Sequence, residues 1–149
     1  MNSLSFRALD HHVVHGRADN VALVDEGRPL TYAKLLELVA AVAGGLRHLG
    51  VEPGSGVDLE SLSGRDRVVA VMACARLGAI PRPGSEVVLG GDPVVVRTAD
   101  GEWPWDVVRR AGNSEPAAAP DKDAGDYEQL LRERYDELVT TLLAGDTLA

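Results

Sequence analysis

The pattern that decides the fold lies in VALVDEGRPLTYAKLLELVAAVAGGLRHLGVEPG, residues 21–54. Its first seven residues predict a β-strand followed by a turn. Thr31 stands where a helix N-cap belongs, and apolar side chains then recur at helical spacing until Gly50 ends the pattern. Gly44 and Gly45 interrupt this helix at a cost of about 1 kcal/mol each relative to alanine, which indicates close packing against another element.

Further strands and helices follow along the chain. Residues 57–62 (VDLESL) predict a strand, and residues 65–78 (RDRVVAVMACARLG) predict a second helix that ends at a glycine. Two β-branched runs, EVVL (86–89) and PVVVRT (93–98), predict short strands, whereas WPWDVVRRAG (103–112) predicts a short strand or a single helical turn. Because strands that alternate with helices tend to pair in parallel, the expected fold class is α/β, with a small, partly parallel sheet and flanking helices.

The strand VDLESL carries two carboxylates. Burying both without partners would cost several kcal/mol, so this strand is expected at a sheet edge, or exposed on one face. Val57 and Leu59 would then point inward, with Asp58 and Glu60 outward. Two carboxylates on one face can serve as a general acid and base, but the sequence places no nucleophile beside them. We therefore interpret the pair as a solvated face.

Charge divides the 149-residue chain into a nearly neutral body and an acidic tail. Residues 1–112 hold 14 acids and 12 bases, whereas residues 113–149 hold nine acids and three bases. Residues 113–126 (NSEPAAAPDKDAGD) have the composition of a solvated linker. We therefore expect an α/β domain over 1–112, a linker over 113–126 and an amphipathic helix over 127–149.

Composition excludes several classes of function. A net charge of −8 disfavours nucleic-acid binding, and a single cysteine excludes an intramolecular disulfide or a zinc site built from paired thiolates. No apolar run approaches the ~18 residues of a membrane span, and MNSLSFRALDHH lacks the order of a signal peptide. We therefore expect no nucleic acid or membrane as a partner and a cytoplasmic location.

Three motifs occur in a fixed order. LTYAKL (30–35) fits an L-T-Y-x-E-L pattern with Lys34 in place of glutamate, and GVEPG (50–54) fits a G-V-x-P-G turn. The third motif, VMACARLGAIPRPG (71–84), is a helix that ends in a glycine turn before a strand and prolines. In order and separation these motifs resemble the N-terminal portion of the adenylate-forming superfamily, which includes acyl-CoA synthetases and nonribosomal-peptide adenylation domains. The resemblance covers residues 6–98. SEVVLGGD (85–92) is also similar to short actinobacterial proteins with an acyl-CoA-synthetase-like N-terminus.

The resemblance implies a particular chemistry for the whole family. That chemistry uses a Ser/Thr/Gly-rich loop ending in Lys-Gly around the ATP phosphates, an acidic residue for Mg²⁺ and a lysine on a C-terminal domain. None of these motifs occurs in this sequence, and PGSG (53–56) and GG (90–91) are interpreted as turns. No catalytic, cofactor-binding or metal-binding residue is therefore assigned, and no cofactor is expected.

The histidines and the single cysteine are the isolated polar groups that could form a site. His11, His12 and His15 form the only histidine cluster, and His11 and His15 would share one face if residues 6–16 are helical. A catalytic zinc site needs a third protein ligand, and the only other histidine is His48. We interpret the three as the solvent face of a surface helix. Cys74 lies among small apolar residues and is expected to be an inert core thiol.

One short motif suggests a carrier-protein function. Glu60-Ser61-Leu62 loosely resembles the phosphopantetheine attachment site of carrier proteins, and the acidic composition suits a carrier. The β-branched runs at 86–98 do not suit a four-helix bundle, which disfavours this interpretation.

Two apolar features are candidate interaction surfaces. Trp103 and Trp105 would form a binding hot spot if exposed together, or cap a core if buried. Residues 127–143 predict a helix whose apolar stripe must be covered, either by the body folding back or by another chain. The candidate interaction residues are Trp103, Trp105, Leu131, Tyr135, Leu138 and Leu142.

These observations favour a truncated, non-catalytic acyl-CoA synthetase-like protein that acts as a protein-interaction or accessory subunit. Its partner would be another protein, or a second copy bound through the C-terminal helix. Two alternatives stay open: one half of a split adenylate-forming ligase completed by another polypeptide, and a small acyl-ligand binder.

Overall fold

A computed structural model describes residues 1–149, which form two compact units. One unit contains residues 1–37 and 119–149, and the other contains residues 38–118. We call them the hairpin unit and the sheet unit. Two π-helical turns come first, at Phe6–Asp10 and Val13–Arg17. The remaining elements are β1 (Val21–Asp25), β2 (Arg28–Thr31), α1 (Tyr32–His48), β3 (Gly56–Asp58), α2 (Gly64–Leu77), β4 (Ile80–Pro81), β5 (Val87–Gly90), β6 (Val95–Thr98), β7 (Gly101–Pro104), α3 (Trp105–Ser114) and α4 (Tyr127–Ala144).

The sheet unit contains a five-stranded mixed sheet in the order β4-β3-β5-β6-β7. Strand β3 runs parallel to both β4 and β5, whereas β5, β6 and β7 form an antiparallel meander. The predicted α/β class, with a small, partly parallel sheet and flanking helices, is confirmed.

The two faces of this sheet differ in burial because side chains alternate along each strand. On one face Leu89 and Val96 stand opposite each other and are fully buried. On the other face Val88 and Val95 are only half-buried, and Arg97 is exposed. We call this second surface the open face.

The strand predicted at VDLESL is shorter than expected and lies inside the sheet. Strand β3 ends at Asp58, because the Asp58 Oδ1 atom accepts the backbone N–H of Glu60 at 3.0 Å and bends the chain into a turn. The edge position offered as one alternative is wrong, since β3 lies between β4 and β5. Val57 and Leu59 are buried as predicted, at 0% and 2% exposed, whereas Asp58 is half-buried and Glu60 is exposed.

Helix α2 spans most of the predicted range and is buried on all sides from Val68 to Leu77. It ends where predicted, at Gly78, whose left-handed φ of 74° lets its N–H bond to the Cys74 carbonyl.

Glycines permit very close packing between α1 and α3. A Cβ atom at Gly45 would lie 2.2 Å from the Val108 carbonyl oxygen, and one at Gly112 would lie 1.6 Å from the Ala41 carbonyl oxygen. The close packing predicted from the glycines of α1 is therefore confirmed. The prediction for residues 103–112 is wrong, because this stretch completes β7 and then forms the ten-residue helix α3.

The hairpin unit pairs β1 with β2 and packs α4 against the first π-helical turn. The helix predicted at 127–143 is confirmed as Tyr127–Ala144, and Gly145 caps it in the left-handed conformation. The apolar stripe of α4 is covered by the same chain, which was one of the two predicted alternatives. No helix of the protein is long and apolar enough to span a membrane.

Candidate functional site

The open face of the sheet carries an open depression of about 190 Å³. It lies over the β5–β6 hairpin, and its lining residues are Ser61, Val88, Gly90, Gly91, Val95 and Arg97. The two valines supply an apolar floor, while a hydroxyl and a guanidinium stand at the rim. Sequence analysis missed this site, because it depends on which face of the sheet stays uncovered.

Local backbone geometry brings Ser61 to this depression. The turn after β3 places Ser61 against β5 at Gly90, where a Cβ atom would lie 3.0 Å from the Ser61 Cβ. Any larger residue at position 90 would push the serine outward. The Ser61 side chain is exposed, so its hydroxyl is accessible at the rim.

The charge at the rim is already paired. Arg97 Nε donates to Glu102 Oε1 at 2.8 Å, and both side chains are more than half exposed at 58% and 55%. An exposed pair of this kind contributes about 0.2–1 kcal/mol and can open readily. The depression therefore offers apolar contact, a hydroxyl and an exchangeable ion pair, which suit the binding of a ligand or a protein surface.

Both tryptophans are half-buried, so they are neither exposed together as a hot spot nor fully buried as a core cap. The Trp103 ring covers Gly101, whose Cβ position lies 3.7 Å from the ring edge. Trp105 begins α3, and its backbone N–H donates to the Val94 carbonyl at 3.0 Å. Val107, on the next part of α3, is 42% exposed. An interaction role for the tryptophans stays a prediction.

The candidate residues of α4 are mostly covered within the hairpin unit. Leu131, Leu138 and Leu142 are at most 4% exposed, whereas Tyr135 is half-buried at a kink in the helix. Their interaction role also stays a prediction, and it would require α4 to leave its present position.

Three side chains hold the carboxyl end of α4 to the N-terminal part of the chain. His12 Nε2 lies 2.7 Å from the Leu142 carbonyl oxygen, Arg17 Nη1 donates to Ala144, and Tyr32 Oη donates to the Asp146 carbonyl at 2.7 Å. The Leu142 and Ala144 carbonyls lie in the last turn of α4, the end of a helix that favours positive charge, and Asp146 lies two residues beyond it. The interpretation of His12 as a solvent-facing residue is wrong, since it is 4% exposed.

The other isolated polar groups have structural roles. His11 and His15 are exposed, with ring centroids 4.1 Å apart, and no group of three metal-ligating side chains occurs in residues 1–149. The Cys74 side chain is fully buried, as predicted for a core thiol, and this burial raises the pKa of the thiol to about 12. Asp58 uses its second carboxylate oxygen to accept the Gly84 N–H at 3.0 Å. Both of these bonds hold backbone amides in turns.

Comparison with known proteins decides the family. The sequence profile of the AMP-binding enzymes matches residues 10–85, about half of the chain. The chain belongs to the AMP-binding enzyme family. The match runs from the second π-helical turn through α1 and α2 to β4, so β5, β6, β7, α3 and α4 lie beyond it.

Relatives in this family are much longer. Acetyl-coenzyme A synthetase of Streptomyces avermitilis is 35% identical over 108 residues, which cover 67% of this chain and 16% of that enzyme. The chain therefore spans about one sixth of the length of this relative. This family membership agrees with the resemblance inferred from the three motifs.

Solved structures agree on the fold. An artificially fused adenylation and peptidyl-carrier didomain, NpsA-ThdA from Klebsiella oxytoca, matches with a TM-score of 0.50 and 22% identity over 54% of this chain and 15% of that chain. The N-terminal subdomain of NpsA, solved with 3-hydroxybenzoyl-AMSN, gives the same TM-score and identity over 54% of this chain and 20% of that chain. The shared fold is that of the N-terminal portion of adenylate-forming enzymes.

Proposed function

We propose that this member of the AMP-binding enzyme family is an accessory, protein-binding subunit that does not adenylate a carboxylic acid by itself. The observation that carries the proposal is the open face of the sheet. Val88 and Val95 form a half-buried apolar floor there, and the Arg97–Glu102 pair forms a polar rim. An apolar centre with a charged rim is the usual composition of a protein interface.

The coverage of its relatives indicates what kind of partner fits. In Streptomyces avermitilis acetyl-coenzyme A synthetase, the matched part is 16% of one chain. A partner that supplies the remaining parts of such an enzyme would carry an adenylate-forming domain. We therefore propose that the occupant of the open face is a polypeptide with an adenylate-forming domain.

The experiment uses that acetyl-coenzyme A synthetase and a form of it that lacks the matched portion. Binding of the full chain to each is measured by light scattering and by calorimetry. We expect binding to the shortened enzyme, weakened at least tenfold by Val88→Asp and little changed by Val88→Thr. Val88→Asp places a charge in the apolar floor, whereas threonine keeps the shape. Binding that is absent, or unaffected by Val88→Asp, would overturn the proposal.

A second candidate function is one half of a split ligase. The same 16% coverage favours it, because the missing parts of an adenylate-forming site would come from the partner. The two candidates differ in one result. An accessory subunit leaves the pyrophosphate release of the shortened enzyme unchanged, whereas a split half restores it on mixing.

A further inference from the structure

Each edge strand of the five-stranded sheet contains a proline where another residue would point a backbone N–H outward. In β4, the backbone N–H groups of Ile80 and Arg82 donate to β3 at Ser55 and Val57, at 2.7 and 2.8 Å. The residue between them is Pro81, whose nitrogen would face away from the sheet. Because proline carries no N–H, this edge offers no donor to a further strand at that position.

The opposite edge has the same device. Strand β7 pairs Trp103 with Val96, and the N–H of Trp105 continues this ladder by donating to the Val94 carbonyl at 3.0 Å. Pro104 lies between the two tryptophans, at a position that faces outward. A proline at the outward position of an edge strand blocks strand addition.

The outer edge of β1 is different, because the segment around Leu148 already occupies it through an isolated β-bridge. The N–H of Leu148 donates to the Ala22 carbonyl at 2.8 Å, and the Leu148 carbonyl accepts the N–H of Val24 at 2.9 Å. The Thr147 hydroxyl donates to the Val21 carbonyl at 2.6 Å. This segment runs parallel to β1, with Leu148 opposite Leu23.

Few hydrogen bonds hold this segment on the edge. Two main-chain hydrogen bonds and one hydroxyl bond hold it, and it follows Gly145, whose φ is +76°. Just before this segment, the Tyr32 hydroxyl donates a hydrogen bond to the Asp146 carbonyl. A segment held by so few bonds can be displaced by a longer extended peptide that makes the same bonds and continues along the edge.

We propose that the outer edge of β1 is a strand-accepting site for an extended peptide that runs parallel to β1, and that Thr147 and Leu148 occupy it as an internal ligand. The bonds on this edge define the chemistry of the peptide. The peptide carries a hydroxyl side chain that donates to the Val21 carbonyl, as Thr147 does. The next residue is not proline, donates its N–H to the Ala22 carbonyl and has an aliphatic side chain opposite Leu23. The site lies in the hairpin unit and needs neither ATP nor a partner enzyme, so it stands apart from the proposed function.

The test opens the edge in the full chain. Leu148→Pro removes the N–H that bonds to Ala22, while Leu148→Ala keeps it and serves as the matched control. The probe is a fluorescent peptide with the sequence of residues 140–149, TTLLAGDTLA, and binding is followed by anisotropy. We expect L148P to bind the peptide at least tenfold more tightly than the wild type or L148A. A peptide that itself carries L148P should bind none of the three.

Amide hydrogen exchange shows whether the edge has opened in a folded chain. In L148P the Val24 amide should exchange at least tenfold faster, while the Trp105 amide of the sheet unit stays unchanged. If L148P does not fold, a chain that ends at Asp146 replaces it, since this chain keeps α4 and the bond from Tyr32. Equal peptide affinity across the variants would overturn the proposal, and so would self-association of L148P in place of peptide binding.

Discussion

The five-stranded sheet and the β1–β2 hairpin protect their free strand edges in different ways. The sheet unit places Pro81 and Pro104 at its two edges, so its protection is part of the covalent structure of those strands. The hairpin unit covers β1 with Leu148, which lies 125 residues further along the chain than its partner Leu23. The sheet is therefore protected by local sequence, whereas the hairpin depends on the docking of α4 and of the segment after it.

The largest effect is expected where the sheet unit packs most tightly. Gly112→Ala would place a Cβ atom 1.6 Å from the Ala41 carbonyl oxygen, and neither backbone can move away without separating α3 from α1. We expect a loss of about 3 kcal/mol or more in the free energy of unfolding. Chemical denaturation followed by circular dichroism measures it. Asn113→Ala, at an exposed position of the same helix, should change the stability by less than about 0.5 kcal/mol.

The hairpin unit is most sensitive at the core of α4. Leu142 is 0% exposed, and Leu142→Ala should cost about 2–3 kcal/mol through lost burial and the cavity that remains. Leu130→Ala, on the same helix but 36% exposed, is the control and should cost well under half as much. If the hairpin edge depends on α4, the Val24 amide should lose protection in L142A. Equal losses in the two variants would contradict the assigned packing.

A smaller effect concerns the other end of α4 and depends on pH. The hydrogen bond from Arg7 holds the pKa of Glu128 below its ordinary value of 4.5. A lowered pKa in the folded state stabilises the protein above pH 4.5, and this contribution disappears as the pH falls through the folded value. Both side chains are about one-third exposed, so the pair contributes under about 1 kcal/mol.

Glu128→Gln tests this contribution. We expect a small loss of stability at pH 7 that fades as the pH falls below 4.5 and the wild-type carboxyl becomes protonated. Urea unfolding at several pH values measures the difference between the two proteins. Glu133→Gln, at an exposed position of α4, is the control, and a pH-independent difference for E128Q would argue against the ion pair.

The smallest change in stability is expected at the edge of the sheet. Pro104 is exposed and has a φ of −57°, which alanine also adopts, so Pro104→Ala should change stability by no more than about 0.5 kcal/mol. It restores an outward N–H to β7, and we expect concentration-dependent self-association in light scattering. Pro83→Ala, outside the strands, should stay unchanged. If P104A and P83A behave alike, proline is not what protects this edge.

Sequence reasoning reached the parts of the fold that depend on neighbouring residues. Helical periodicity predicts α1, α2 and α4 within a few residues of their observed bounds, and the two glycines of α1 predict close packing against another element, which the structure shows to include α3. Each signal is local, because a 3.6-residue period or an N-cap is written in a few adjacent positions.

The parts that failed depend on distant residues. The burial of His12 follows from the Leu142 carbonyl, 130 residues away, and an apolar period cannot reveal such a partner. The same holds for Leu148 on β1. The strand predicted at residues 57–62 is too long, because the Asp58 carboxylate accepts the Glu60 N–H and ends β3 at Asp58. The depression on the open face could not be predicted, because alternating side chains define the two faces of a strand but do not show which face the rest of the chain covers.

The central claim is that this chain works by binding and does not adenylate a carboxylic acid by itself. The most direct measurement is pyrophosphate release by the isolated chain with ATP, Mg²⁺ and a panel of carboxylic acids that includes acetate and benzoate. Streptomyces avermitilis acetyl-coenzyme A synthetase serves as the positive control. We expect no release above background from the chain at concentrations a hundredfold above that of the enzyme. Release that depends on one of the acids would contradict the claim.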